Sequence, residues 1–320
     1  MASEHSVSGL LLLNKPKGIS SRQASVRVVK KIPGKIKFGH VGTLDPSAHG
    51  VLPILLGHAT KCMDYLHVND KVYDFTVQLG SMTSTMDDEG EIVESRPVSE
   101  FSDKQVDTTL EHLTGKIEQI PPIYSAIKWN GRPLYDYARK GEADKVTLSD
   151  FKRVIEVFSI ECLEIDHSRE NLSFRVRCSK GTYVRVLATQ IAMKLGSLGH
   201  VVDLRRVNSS GFEINETVSL EEVESSDFNW TEKIVPIAQF PFVFPSWKTS
   251  ESLVKPLVQG QRVVQNKEAF QHSLVNLRPQ LKVMDDKVLL LNSEGDAFGI
   301  ANVTSVAPDQ VRLHMNRGLK

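Results

Sequence analysis

Cysteine is scarce in this chain of 320 residues. The three present, Cys62, Cys162 and Cys178, show no CxxC and no Cys/His ligand spacing, so neither a disulfide framework nor a zinc site is indicated. Net charge is missing too: 39 Lys and Arg balance 39 Asp and Glu, so the sum argues neither for nor against a polyanionic partner. No run reaches the roughly 18 apolar residues of a membrane-spanning helix. The opening Met-Ala-Ser-Glu-His-Ser lacks the charged and apolar regions of a secretory signal, so a cytoplasmic protein with no membrane partner is expected. No glycine-rich phosphate cradle is visible, which counts against an enzyme of free nucleotides.

What is present is an ordinary globular composition, 40% hydrophobic and 24% charged, in a chain long enough for one large domain and a smaller one. The charge is unevenly spread. Residues 1–61 carry Lys15, Lys17, Arg22, Arg27, Lys30, Lys31, Lys35, Lys37 and Lys61 against only Glu4 and Asp45. Acidic stretches follow at Asp87 to Glu94 and Glu213 to Glu232. A neutral chain with a basic end suits one face for a polyanion.

Leu10–Leu13 is an apolar run ending in Asn-Lys-Pro-Lys-Gly, a buried strand entering a turn. Ser20 and Ser21 are caps for a helix over Arg22–Lys31 with Ala24 and Val28 inside. Gly39 to Gly50 reads as a loop, Gly50–Leu56 as apolar, and Gly57–Leu66 as helical. Val72–Leu79 alternates as a half-buried strand before a polar loop from Gly80 to Gly90. Ser102–Leu113 is an amphipathic helix, and Gln119–Tyr124 opens a long connection through a turn at Gly131. Val154–Ile165 and Asn171–Cys178 are strands joined by a turn at Asp166–Glu170. Thr182–Leu195 is a helix and Val201–Val207 a strand. Phe240–Trp247, Phe-Pro-Phe-Val-Phe-Pro-Ser-Trp, suits a linker or strap, and the short alternating segments of Ser246–Lys320 suggest a small β-barrel.

The densest signal is Gly39-His40-Val41-Gly42-Thr43-Leu44-Asp45-Pro46-Ser47-Ala48-His49-Gly50-Val51-Leu52. A carboxylate stands between a glycine-rich turn and an apolar strand, and the following proline pushes Asp45 towards extended geometry. Such a loop can hold a side chain rigidly while its backbone stays accessible. An isolated Leu-Asp-Pro would be read as a capped turn.

The segment is not isolated, and it resembles the signature of the TruB family of tRNA pseudouridine synthases. Four further blocks match in order: Asn14–Gly18; Lys71-Val72-Tyr73 with Leu79 through Gly90; Pro121–Lys128 with Gly131-Arg132, Tyr137–Arg139 and Gly141; and Cys178–Arg185 with Leu204-Arg205-Arg206. The resemblance spans residues 10–210. It departs at His49, where the family usually has Thr or Ser, and at Ser84, where Asp is common. It implies an α+β fold: a mixed, mostly antiparallel sheet with flanking helices over residues 1–240, carrying an RNA-contacting insertion near 120–150. A small PUA-like β-barrel would occupy 246–320.

The same resemblance implies a reaction without a cofactor or metal, because the uracil is detached, turned and rejoined through C5 with no redox change. Asp45 would be the catalytic carboxylate, as a nucleophile at C1′ or C6 or in deprotonating the sugar; the sequence does not choose among these. Arg185 would pair with Asp45 and orient it, and Tyr73 would stack on the uracil with a late proton-transfer role. Leu204 would wall the pocket, Tyr183 would position the base, and Lys15 and Pro16 would support the loop. His40 would fill the stack position left by the extruded nucleotide. Lys128 and Arg139, with Arg132, Lys180, Arg205, Arg206 and the N-terminal cations, would contact phosphates. The partner implied is the TΨC stem-loop of tRNA, modified at position 55 by base flipping. The protein would be a monomer acting without a guide RNA. An RNA-folding factor and an RNA-guided synthase compete with this reading; pure binding needs none of Asp45, Tyr73 and Arg185.

Overall fold

A computed structural model describes residues 7–66, 70–166, 168, 170–240, 242, 244–275 and 286–319. The N-terminal hexapeptide, His167 and Arg169 of the expected turn, Pro241 and Val243 of the aromatic segment, and 276–285 of the tail lie outside the described residues.

The first strand, β1 (Gly9–Lys15), leads through a turn into α1 (Ser21–Val29). Ser20 is the cap: its hydroxyl accepts from the Gln23 amide while Gln23 Oε1 accepts from the Ser20 amide, satisfying donors the helix start leaves free. A short strand, β2 (Phe38–His40), lies within the segment read as loop and pairs with β3 (His49–Leu56). Gly57–Tyr65 is helical as expected, but of the tighter 3₁₀ type.

Next come β4 (Asp70–Leu79) and a small hairpin of β5 (Ser81–Thr83) and β6 (Ile92–Ser95) where a plain loop was expected. The helix α2 (Asp103–Leu113) precedes β7 (Gly115–Gln119), an edge strand with mostly unburied side chains and hence no apolar pattern to read. The insertion folds as a two-residue hairpin, β8 (Lys128–Trp129) with β9 (Arg132–Pro133), and α3 (Leu134–Arg139). The long pair β10 (Arg153–Ile165) and β11 (Asn171–Ser179), the helix α4 (Val184–Lys194) and β12 (Gly199–Ser209) complete the main body.

These strands form one mixed sheet in the order β1-β3-β12-β4-β11-β10-β7, extended past β1 by Val218–Ser219. Neighbours run antiparallel except for two two-residue parallel contacts, β3 with β12 and β1 with Val218–Ser219. The β3–β12 contact requires Gly50: it has φ +105°, and a Cβ there would lie 2.3 Å from the Arg206 carbonyl oxygen.

Both faces of β1 are buried, which is why Leu10–Leu13 carries no polar alternation. Leu11 and Leu13 join the main core with Leu52, Phe75, Val77, Phe174, Leu187 and Ile191. Leu10 and Leu12 face the other way, with Leu55 and Cys62, into a second core. That core is closed by Phe240, Phe242 and Phe244 of the aromatic strap and by Leu289, Leu291, Ile300 and Leu319 of the tail. The tail strands Val263–Asn266, Gln310–Gly318, Ala297–Ala307, Lys287–Leu291, Ser246–Lys248 and Leu274–Val275 form one six-stranded sheet in that order. Among the described residues its two end strands do not pair, so the sheet is open, an arrangement compatible with the small PUA-like β-barrel expected. No helix among the described residues is long and apolar enough to cross a membrane.

Candidate active site

The loop between β2 and β3 is pinned from three sides. Ser21 Oγ donates to the Leu44 carbonyl and accepts from the Leu44 amide, at 2.9 and 2.8 Å. The Gly18 amide donates to the Pro46 carbonyl. The Lys15 ammonium, wholly buried, donates to the carbonyls of Pro16 and Ile19 and, at 3.4 Å, of Pro46. Burial pulls the Lys15 amine down to about 8, with Asp45 opposing that shift. Lys15 and Pro16 thus lie under the loop.

On this platform Asp45 keeps a side chain about one-third exposed, and Arg185 Nη2 stands 2.9 Å from its Oδ2. Arg185 is only 3% exposed because α4 is buried nearly all round, with Val184, Val186, Leu187, Ala188 and Ile191 also inside. The rest of its guanidinium is occupied. Nη1 donates to the Thr85 carbonyl, Nη2 to the Tyr124 carbonyl, and Nε lies 3.7 Å from Asp87 Oδ2. Asp87 is itself buried and accepts from Ser47 Oγ at 3.0 Å and from Thr85 Oγ1 at 2.5 Å. The arginine is therefore held from four directions, and Asp45 is the more exposed of its two carboxylate partners. A forked cation fixed this way gives Asp45 one orientation.

Asp45 stands where two cavities meet. One, of about 330 Å³, is lined by Thr43, Lys71, Tyr73, Arg153, Tyr183 and Leu204 together with Asp45 and Arg185. The other, of about 560 Å³, is lined by Arg22, His40, Glu89, Tyr135 and Arg139 and again by Asp45 and Arg185. Both volumes suit a small organic group. In the first, Tyr73 and Leu204 supply apolar surface, and burial pushes the Tyr73 phenol above its ordinary value. Tyr183 is held by its backbone, which exchanges two hydrogen bonds with the buried Gln119 side chain. Arg153 lies 4.8 Å over its ring. In the second cavity burial, then Arg206 and Arg22, keep His40 below the ordinary histidine value.

The fold thus brings Asp45, Tyr73, Arg185, Tyr183 and Leu204 around one cavity, and His40 and Arg139 around its neighbour. Lys128 is exposed on the β8–β9 hairpin and lines neither cavity. Two cations counted as phosphate contacts are otherwise engaged. Arg206 is 0% exposed and donates to backbone carbonyls, so it cannot reach a phosphate from where it stands. Arg132 pairs with Glu142 and stacks 3.4 Å over the Tyr137 ring.

Gln119, Arg153 and Lys71 also belong to this region and had no assigned role. The Lys71 amine is pulled down to about 8, first by burial and then by Arg206. Only Lys71, near Tyr73 in a motif block, carried a sequence signal; Gln119 ends β7, whose polar pattern conceals it, and Arg153 opens β10 directly opposite.

With this geometry in view, comparison with known proteins is specific. Residues 30–184 match the family model described as "TruB family pseudouridylate synthase (N terminal domain)". The chain is 44% identical over 260 residues to the tRNA pseudouridine synthase B of Bacillus subtilis (strain 168), covering 79% of this chain and 82% of that protein. It is 42% identical over 270 residues to the protein of the same name from Bacillus licheniformis, covering 82% and 85%. Among solved structures, the Cbf5-Nop10-Gar1 complex contains a chain that superposes with a TM-score of 0.67 at 21% identity, covering 98% of this chain and 85% of that one. An H/ACA RNP bound to a substrate RNA gives 0.68 at 19%, covering 99% and 86%. At such identity these structures speak for the fold alone.

Proposed function

The chain belongs to the TruB family of pseudouridylate synthases, and from that premise we propose that it isomerises uridine to pseudouridine at position 55 in the TΨC loop of tRNA. Asp45 is the reacting carboxylate in this reading, and no cofactor takes part. The observation that carries it is the Asp45–Arg185 pair, 2.9 Å apart at the junction of two cavities, inside the Gly-His-Val-Gly-Thr-Leu-Asp-Pro loop. The uridine turns out of its stack into the smaller cavity, between Tyr73 and Leu204, at a cost of a few kcal/mol for unstacking. Asp45 then acts at C1′, at C6 or on the sugar; each route needs a carboxylate oxygen held beside the nucleoside, and the Arg185 guanidinium fixes its position. Residues 1–240 carry the chemistry and 246–320 form a PUA-like module that grips the tRNA. The protein works as a monomer without a guide RNA. The test is direct: purified protein is incubated with an unmodified tRNA transcript and pseudouridine is mapped by chemical sequencing. A single modified site at position 55 is expected; no modification, or modification elsewhere only, overturns the reading.

Tyr73 gives a graded prediction. Tyr73→Phe keeps the stacking surface and loses the hydroxyl, whereas Tyr73→Leu loses both, and base–aromatic stacking is worth about 1–3 kcal/mol. Single-turnover rates should therefore fall in the order wild type, Phe, Leu. Equal wild-type rates in both variants would make Tyr73 a core residue only.

Binding should be electrostatic despite the zero net charge. With Arg206 buried and Arg132, Lys17 and Arg27 in ion pairs, the exposed cations left in that set are Arg22, Lys30, Lys31, Lys35, Lys37, Lys128, Arg139, Lys180 and Arg205. If about six of them meet phosphates, log Kd against log salt should have a slope of magnitude about 4 to 5. Filter binding between low and physiological salt measures it, and a flat response would remove the basic face.

A further inference from the structure

Arg206 is the largest wholly buried side chain among the described residues, and it lies against the Asp45 loop, behind the lining of the reaction cavity. Its Nε donates to the Val51 carbonyl and its Nη2 to the Gly42 carbonyl, both at 2.8 Å. Those two carbonyls bracket Asp45, one on each side of the loop. The third nitrogen, Nη1, has no hydrogen-bond partner among the described residues, and Arg206 makes no ion pair there. A buried guanidinium with a free N–H and no counter-charge is expensive, so an acceptor for it is expected.

The ladder identifies the acceptor. Arg206 on β12 stands directly opposite Tyr73 on β4, so their side chains share one sheet face at contact distance. Nη1 also lies 3.3 Å from where a Cβ on Gly42 would be, so the left-handed glycine at φ +71° leaves the space this side chain fills.

We propose that Arg206 is a positioning residue for the isomerisation: one guanidinium ties both ends of the Asp45 loop and stands as the counter-charge of an ionised Tyr73. The inference rests on the reading above, in which Tyr73 has a late proton-transfer role, and it makes that role the removal of the C5 proton after the uracil has rejoined the sugar. In that step the C5–H bond breaks, its electron pair forms the C5–C6 double bond, and the N1–C6 π pair moves onto N1. N1 takes a proton from water, and the C5 proton passes to the Tyr73 oxygen, which must be ionised to receive it.

Burial opposes that ionisation and Arg206 is the leading influence that favours it. The other groups acting on the phenol are the Cys178 thiol on β11, pushed up to about 11 by burial, and Asp45 on the loop, both of which disfavour the phenolate. Lys71 on the same strand, Arg153 and Arg185 complete the charged lining of the cavity.

The experiment follows pseudouridine formation in single turnover at saturating tRNA from pH 6 to 10 for wild type, Arg206→Gln and Arg206→Lys, with tRNA affinity measured alongside. Loss of a preorganised donor of this kind costs about 100-fold in rate. Removing the neighbouring cation should also move the pH at which the rate levels off upwards by about one unit. Arg206→Lys, whose ammonium reaches only one end of the loop, should fall between wild type and Gln in both respects. In a Tyr73→Phe background the pH shift should vanish while the loop defect remains. A purely structural arginine would lower the rate without moving the profile. If whichever variant folds gives a profile that superimposes on wild type after scaling, the inference is overturned. If wild-type protein makes no pseudouridine at all, the functional reading fails and takes this inference with it.

Discussion

Asp45→Asn should abolish pseudouridine formation while leaving tRNA affinity close to wild type. The change is nearly isosteric, and the loop that carries it is held by groups other than the carboxylate: Ser21 on Leu44, Lys15 and Gly18 on Pro46, and Arg206 on both flanks. Arg185 also keeps its bonds to the carbonyls of Thr85 and Tyr124 and its approach to Asp87, so the buried cation is not stranded. What disappears is the anionic oxygen at the junction of the cavities. We expect a loss of about 10⁴-fold or more, which at about 1.4 kcal/mol per factor of ten is at least about 5.5 kcal/mol of barrier. Single-turnover assay and filter binding on one preparation separate chemistry from affinity. Near-native turnover by the variant would end the catalytic assignment of Asp45.

Removing Ser246–Lys320 should damage the fold before it touches the chemistry. No residue assigned to catalysis lies in the tail, but the tail helps close the core over Leu10, Leu12 and Leu55. Leu289, Leu291, Ile300 and Leu319 would be lost from it, and the strap that brings Phe240, Phe242 and Phe244 would have one side bare. Each fully buried side chain of this size is worth about 1.5–3 kcal/mol. The sum reaches the whole stability of an ordinary domain, about 5–15 kcal/mol. The truncated chain should therefore aggregate or lose its cooperative thermal transition.

Phe242→Ala is the gentler probe. Phe242 is 5% exposed and stacks on Phe244 at 5.1 Å between ring centroids, so a loss of about 3–5 kcal/mol is expected from chemical denaturation. Where it still folds, kcat on a minimal TΨC stem-loop should be unchanged, since β1 and β3 keep their ladder. A fall in kcat there would mean that the second core shapes the active site through β1 and β3. A wild-type denaturation midpoint would mean that the strap is not structural.

Much of this was legible along the chain, and for a common reason: wherever a property depends on residues close in sequence, local chemistry states it. The serine cap ahead of α1, the alternation of Val72–Leu79, the helices over α2 and α4 and the Gly–Leu-Asp-Pro loop are all of that kind. Strands at the rim escaped notice. β7 and β6 leave most of their side chains in solvent, so neither shows an apolar period; their pairing is set by a neighbour elsewhere in sequence. The same holds for the tail, where the strands were visible and the openness of their sheet was not.

The sequence by itself determined the family, the candidate acid and the order of the main elements, because those reside in contiguous motifs. Only the tertiary structure decided what surrounds each charge. Lys15, Arg185 and Arg206 look alike as basic residues in a sequence. In the fold, Lys15 props the loop, Arg185 orients Asp45, and Arg206 is sealed against carbonyls opposite Tyr73. Burial and partners distinguish them, and partners come from segments as far as 164 residues apart, as Arg206 and Gly42, brought together by strand order rather than by sequence.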